Sequence, residues 1–90
     1  MELRYKGQFF RDLSNYKNKE LLDDVKNSIQ SVKRASAIAQ IPNLKKLDEY
    51  GIYYRIRIAK DYRIGITIRN NIILFRRFGH RNNFYKKKFP

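Results

Sequence analysis

The hydrophobic period of this chain changes once, and that change limits the folds open to it. In NKELLDDVKNSIQSVKRASAIAQ, residues 18–40, Leu22, Val25, Ile29, Val32, Ser36 and Ala39 recur at spacings of three and four. Such spacing lines one face of an α-helix. From residue 53 the period is two. In YYRIRI, Tyr54, Ile56 and Ile58 oppose Tyr53, Arg55 and Arg57; in YRIGITIR, Tyr62, Ile64, Ile66 and Ile68 oppose Arg63, Gly65, Thr67 and Arg69. This is the period of half-buried strands. NIILFRRF supplies a third strand, apolar on both faces at its start. Ahead of the long helix, MELRYKGQFF alternates loosely and reads as a strand leading into a short helix near residues 9–16. Asn18 is placed to cap the long helix and Pro42 to end it. PNLKKLDEYG has little periodicity and reads as a connector. The expected fold is α+β: a single domain over residues 1–90, with an antiparallel sheet (N-terminal strand plus three-stranded meander) and two N-terminal helices packed on one face.

Turn chemistry then sets the register. A three-residue loop, Ala59 to Asp61, puts Ile58 opposite Tyr62, Ile56 opposite Ile64 and Tyr54 opposite Ile66, so all the apolar residues share a face. Arg57 lands opposite Arg63 on the other face. Asn70-Asn71 suits a two-residue turn because asparagine tolerates positive φ. It pairs Ile68 with Ile73, Ile66 with Phe75 and Gly65 with Arg76. The far face is thus expected to gather Arg55, Arg57, Arg63 and Arg76 around Gly65. Like charges set opposite each other on a sheet repel. Two readings follow: a solvated basic face, or a surface for an anion. In the second, guanidinium forks meet phosphate oxygens, and Gly65 leaves room for a ligand near the backbone.

Charge favours the second reading. Lys and Arg number 21 against 8 Asp and Glu, a net charge of +13. Residues 1–50 hold 10 basic and 7 acidic side chains, whereas residues 51–90 hold 11 basic ones and only Asp61. Solubility does not need charge gathered in one half, and a one-sided field of this kind suits nucleic acid. The chain has no cysteine, which removes disulfides and thiolate metal sites and fits a reducing compartment. No apolar run approaches the ~20 residues of a membrane span, so a soluble cytoplasmic protein with no membrane role is expected. One histidine and one nearby carboxylate do not make a metal site, and no Gly-rich phosphate loop occurs, so neither metal nor cofactor is expected. RNA carries its own nucleophile. Its 2′-hydroxyl can attack the adjacent phosphorus if a base, an acid and positive charge are supplied. The closing stretch FGHRNNFYKKKFP offers His80 and Tyr85 for proton transfer.

The segment NLKKL…YYRIRIAKDYRIGITIRNNIILFRRFGHRNNFY resembles the RelE/ParE superfamily of toxins from type II toxin–antitoxin systems. The resemblance spans nearly the whole chain and is densest from Asn43 to Tyr85. It rests on the Tyr-Arg-Ile-Arg strand, the Asp-Tyr-Arg opening of the next strand, and Gly-His-Arg followed by a tyrosine. It implies a ribosome-dependent mRNA endonuclease that inhibits translation, and the scarcity of ligands noted above points to cleavage without a metal. It also implies an acidic antitoxin as partner, along with mRNA in the ribosomal A site and rRNA. By resemblance, Arg63, His80, Arg81 and Tyr85 are the catalytic candidates. Arg55, Arg57 and Arg76 are expected to hold phosphate, and Lys86, Lys87 and Lys88 to form an rRNA-facing tail. One departure stands out: the best-studied branch carries lysines on the first meander strand, one proposed as a base. Arginine hardly gives up its proton, so here that burden passes to His80 or Tyr85. The ParE branch, which poisons DNA gyrase, and a non-catalytic RNA-binding module are the alternatives. The order Gly-His-Arg and the trailing Tyr85 favour the nuclease.

Overall fold

The computed structural model describes residues 1–49 and 51–90, except for the side chains of Lys87 and Lys88. The chain runs β1 (Glu2–Tyr5), α1 (Gly7–Leu13), α2 (Lys19–Arg34), β2 (Leu44–Lys46), β3 (Tyr53–Ile58), β4 (Tyr62–Arg69), β5 (Ile72–His80) and a helical turn α3 (Arg81–Asn83) that widens over Phe84–Lys88. The strands form one sheet in the order β1-β5-β4-β3-β2. The α+β class and the two helices on one face agree with the expectation. The sheet itself differs in two respects: β1 pairs parallel to β5, and β2 adds a fifth strand on β3. The added strand has only three residues, two of them lysines, too short to display a period. Charge and brevity are how sheet edges avoid further pairing.

The helices and the sheet share one core. Phe9 of α1 and Leu21, Val25 and Val32 of α2 bury against Ile56, Ile58, Ile64, Ile66, Ile68, Ile73, Phe75 and Phe78. The Asn18 side chain accepts from the Leu21 N–H at 3.1 Å, as a helix N-cap should. Leu21 rather than Leu22 enters the core, and α2 ends at Arg34 rather than at Pro42. Ala35 turns to an extended conformation, and Gln40 Oε1 accepts from both the Ser36 N–H and its hydroxyl. A side chain thereby takes over what another helical turn would have done. Ser36 and Ala39 lie exposed.

Register follows the apolar residues. Ile58–Tyr62, Ile56–Ile64, Tyr54–Ile66, Arg57–Arg63, Ile68–Ile73 and Ile66–Phe75 pair as expected. Gly65, however, pairs with Arg77, not Arg76, because β5 bulges there. The core residues of β5 are Ile73, Phe75 and Phe78. Strict alternation would place Arg77 in the core and Phe78 outside. The extra residue of the bulge restores Phe78 to the core opposite Ile64.

Beyond Tyr5, β1 no longer covers β5, and side chains take its place. Asp12 is 2% exposed; its carboxylate accepts from the Phe78 N–H at 2.9 Å and from Arg77 Nε at 2.8 Å. The Tyr16 hydroxyl takes the next N–H, that of His80. Burial raises the Tyr16 phenol above its ordinary value, Tyr62 and Asp12 add to the rise, and the His80 N–H offsets part of it. For Asp12, burial alone would raise the carboxyl. Hydrogen bonds from Arg77, Phe78 and Gln8, and the charge of Arg77, outweigh it and leave the group below its ordinary 3.8. The stabilisation is therefore complete above that ordinary value and lost as pH falls through the lower folded one. Asp12→Asn should cost about 2–3 kcal/mol at neutral pH. Denaturant melts from pH 6 down to pH 2 should show the gap between variant and parent closing with acid.

Candidate active site

The far face of the sheet is built from hairpin geometry. Ala59 and Lys60 adopt positive φ, 50° and 75°, which lets the β3–β4 turn close in three residues. Arg63 Nη1 donates to the Lys60 carbonyl at 2.7 Å and to the Tyr62 carbonyl at 2.9 Å, while its buried Nε has no partner among the described residues. Asn43, at φ 62°, does the same for the neighbouring strand. Its carbonyl accepts from Arg55 Nη1 at 2.6 Å and from the Arg57 N–H at 3.2 Å; its side chain accepts from Arg57 Nη2 at 3.4 Å. Arg55, Arg57 and Arg63 thus occupy adjacent positions on one face, each held by neutral oxygens rather than by a carboxylate. Their charge stays available to an anion.

Arg81 joins them through the same turn. Its N–H donates to the Asp61 carbonyl at 2.8 Å, and its Nε lies 3.4 Å from the Asp61 carboxylate. The only acidic residue of the second half therefore positions an arginine. Asn43 and Asp61 were not expected to take part. The one available signal was asparagine after proline at a strand entry, where positive φ is tolerated.

The C-terminal segment lies across this face. Phe84 is fully buried and Phe89 is 2% exposed. Their rings lie 5.4 Å apart, and Phe89 meets Tyr53 edge-on at 5.5 Å. Both fill the notch above Gly65. A Cβ on Gly65 would stand 2.7 Å from Phe89 Cγ and 2.9 Å from Phe84 Cζ. The room expected there for a ligand is taken by the protein itself. The two rings stand between the β3 arginines and Arg76, which joins Ile72, Leu74, Thr67, Ile52 and Arg69 around a separate shallow groove of about 380 Å³. Tyr85, 46% exposed, meets the Phe84 ring edge-on at 5.2 Å. Lys86 is exposed; the side chains of Lys87 and Lys88 lie outside the described residues.

His80 is placed differently. It pairs with Tyr62, and its ring meets the Tyr62 ring edge-on at 5.2 Å, on the side where Tyr62 touches Tyr16 and Phe78. This is the helix-bearing side, not the arginine face. His80 Nδ1 accepts from the Asn82 N–H at 3.1 Å. That leaves Nε2 to carry the proton of the neutral ring. Among the described residues, no three of His, Cys, Asp and Glu come together as a metal site.

No protein-family model matches the chain. Toxin RelE3 of Methanocaldococcus jannaschii is 30% identical over 86 residues, covering 94% of this chain and 96% of that one. This chain belongs to the RelE family of type II toxins. A chain of the RelB–RelE antitoxin–toxin complex from Methanococcus jannaschii has the same fold, with TM-score 0.76, 29% identity and coverage of 91% and 94%. The YoeB–YefM complex from Staphylococcus aureus shares the fold at TM-score 0.69 and 23% identity, covering 89% and 95%. In this RelE toxin, Phe84 and Phe89 hold the C-terminal segment on the sheet over Gly65. Gly65→Ala should push the two phenylalanines off the sheet, costing about 1–3 kcal/mol. Limited proteolysis should then cut within residues 81–90 faster than in the parent.

Proposed function

We propose that this RelE toxin is a ribosome-dependent mRNA endonuclease that inhibits translation and works without a metal. The observation that carries the reading is the convergence of Arg55, Arg57 and Arg63 on one face, with Arg81 tied to the same turn. Cleavage of RNA by its own 2′-hydroxyl builds negative charge on the phosphoryl oxygens, and preorganised guanidiniums stabilise that charge. Arg55, Arg57 and Arg63 hold the phosphate, and Arg81 meets the leaving oxygen. Tyr85 serves as a stacking surface or proton carrier. His80 would act through its Nε2–H or by releasing Asn82, since Nδ1 is engaged. Lys86, Lys87 and Lys88 face rRNA, and the protein acts in the cytoplasm, where ribosomes are. The partner that silences it is an acidic antitoxin. Its apolar segment would cover Ile72 and Leu74 in the groove between Arg69 and Arg76, which carries both the grease and the charge for such a segment.

Induced in cells, the toxin should generate new mRNA 5′ ends within codons on translating ribosomes; an unchanged end map would remove the reading. Arg63→Lys should impair cleavage far more than Lys86→Ala. The first loses a planar fork anchored on two carbonyls, the second one screened charge. Single-turnover rates on ribosome-bound mRNA separate the proton carriers. If Tyr85 moves a proton, Tyr85→Phe should slow cleavage about 10²–10⁴-fold. If Tyr85→Phe cleaves normally while Tyr85→Ala fails, Tyr85 is a stacking platform. Parental rates for both Tyr85→Phe and His80→Ala would leave the arginines as the source of catalysis.

A further inference from the structure

His80 ends β5 and caps the turn that follows it. Its backbone is extended, at φ −70° and ψ 141°, and its Nδ1 accepts from the Asn82 N–H at 3.1 Å. This is N-cap geometry, in which a side-chain acceptor takes one of the free N–H groups at the start of a helix. Asparagine does this with Oδ1, as Asn18 does for α2. In histidine, Nδ1 stands in the same place, one atom beyond Cγ, so a neutral imidazole can do the work of the amide. The ring is steadied by Tyr62, edge-on at 5.2 Å, which packs in turn on Tyr16 and Phe78.

The residue enclosed by these bonds is Arg81. The His80 N–H goes to the Tyr16 hydroxyl, the Arg81 N–H to the Asp61 carbonyl at 2.8 Å, and the Asn82 N–H to His80 Nδ1. Arg63 is anchored on the same β3–β4 turn as Arg81, through the Lys60 carbonyl. Because β5 ends at His80, no strand partner holds the backbone beyond it. Of the three bonds, the one to Nδ1 is the one that fixes the peptide after Arg81. We infer that His80 serves the reaction as a positioning residue, holding that peptide through Nδ1 and so aiming the Arg81 guanidinium; this rests on the reading above that the toxin cleaves mRNA. Proton transfer would require the ring to leave the helix-bearing side or to release Asn82. Positioning requires neither. It also explains how a histidine on one side of the sheet serves arginines on the other. An error of about 1 Å at a reacting group can cost 10²-fold in rate.

Single-turnover cleavage of ribosome-bound mRNA by His80→Ala, His80→Asn and His80→Gln tests this role. Asparagine puts an acceptor where Nδ1 stands, and glutamine puts a donor where the Nε2–H stands; neither exchanges protons near neutrality. His80→Ala should slow cleavage roughly 10–10²-fold. His80→Asn should recover most of that loss and His80→Gln little of it, whereas a proton carrier would leave all three slow. In an Arg81→Ala background, adding His80→Ala should slow cleavage by no more than about two-fold, because its effect runs through Arg81. A general loss of folding would add in full. Amide exchange at Asn82 should quicken in His80→Ala and be protected again in His80→Asn. The role is overturned if His80→Asn is as slow as His80→Ala, if His80→Gln recovers as much as His80→Asn, or if exchange at Asn82 does not change. It is equally overturned if either His80→Ala or Arg81→Ala cleaves at the parental rate, or if the two losses add in full. All of these leave the endonuclease standing. A parent that cleaves no mRNA overturns the endonuclease reading and this role with it.

Discussion

The pairing of β3 with β4 is set by grease and decides where the charge goes. Ile56 must meet Ile64, and Ile58 must meet Tyr62, for the core to close under Val25 and Val32. Once they do, Arg57 has no position except opposite Arg63. Like charges facing across a sheet cost up to about 1 kcal/mol, far less than exposing two isoleucines at roughly 1.5–3 kcal/mol each. The structure keeps the pair and manages it with dipoles. Carbonyls of Asn43, Lys60 and Tyr62 take guanidinium donors, and among the described residues no carboxylate forms an ion pair with Arg55, Arg57 or Arg63. A structural salt-bridge network would have cancelled the field. Backbone oxygens orient the arginines and leave their field intact.

The end of β5 is where the scaffold and the site meet. Its bulge brings Phe78 back to the core, and its free edge is covered by Asp12 and Tyr16 instead of a strand. Those two side chains come from α1 and the turn after it, so the helical layer fixes the direction in which His80, Arg81 and the C-terminal segment leave the sheet. That segment then folds onto the opposite face and is held by Phe84 and Phe89 over Gly65. Tyr85 sits where it does because its neighbour is wedged.

Much of this was legible in sequence wherever one residue type has one physical use. Alternation placed β3 and β4, the Asn70-Asn71 turn placed β5, and Asn18 marked the start of α2. What escaped reading depends on contacts between distant residues. The bulge at Arg76 is forced by Phe78 needing the core, a demand that the break in alternation within NIILFRRF already carries. The early end of α2 could not be caught, because it rests on Gln40 satisfying Ser36. Gly65 signals space but not its occupant, which is a pair of phenylalanines whose return across the sheet no local pattern announces. The arginines of the site were found by register. The residues that aim them, Asn43 and Asp61, were not, since each looks like an ordinary loop residue until the fold brings its partner near.

The arrangement also gives a physical rationale for the proposed dependence on the ribosome. On the proposed reaction, the arginine face supplies charge in abundance and freely placed proton carriers sparingly. His80 points to the helix side with Nδ1 engaged, and Tyr85 is half exposed. Charge stabilisation lowers a barrier only for a substrate already held in line, since its contribution depends on distance to the developing oxyanion. Free RNA would bind a +13 surface in many registers, nearly all of them unproductive. A codon fixed by the decoding site comes with its geometry decided. A site that stabilises charge but orients its substrate weakly is thus suited to an RNA positioned from outside, and poorly suited to indiscriminate cleavage of the RNA around it.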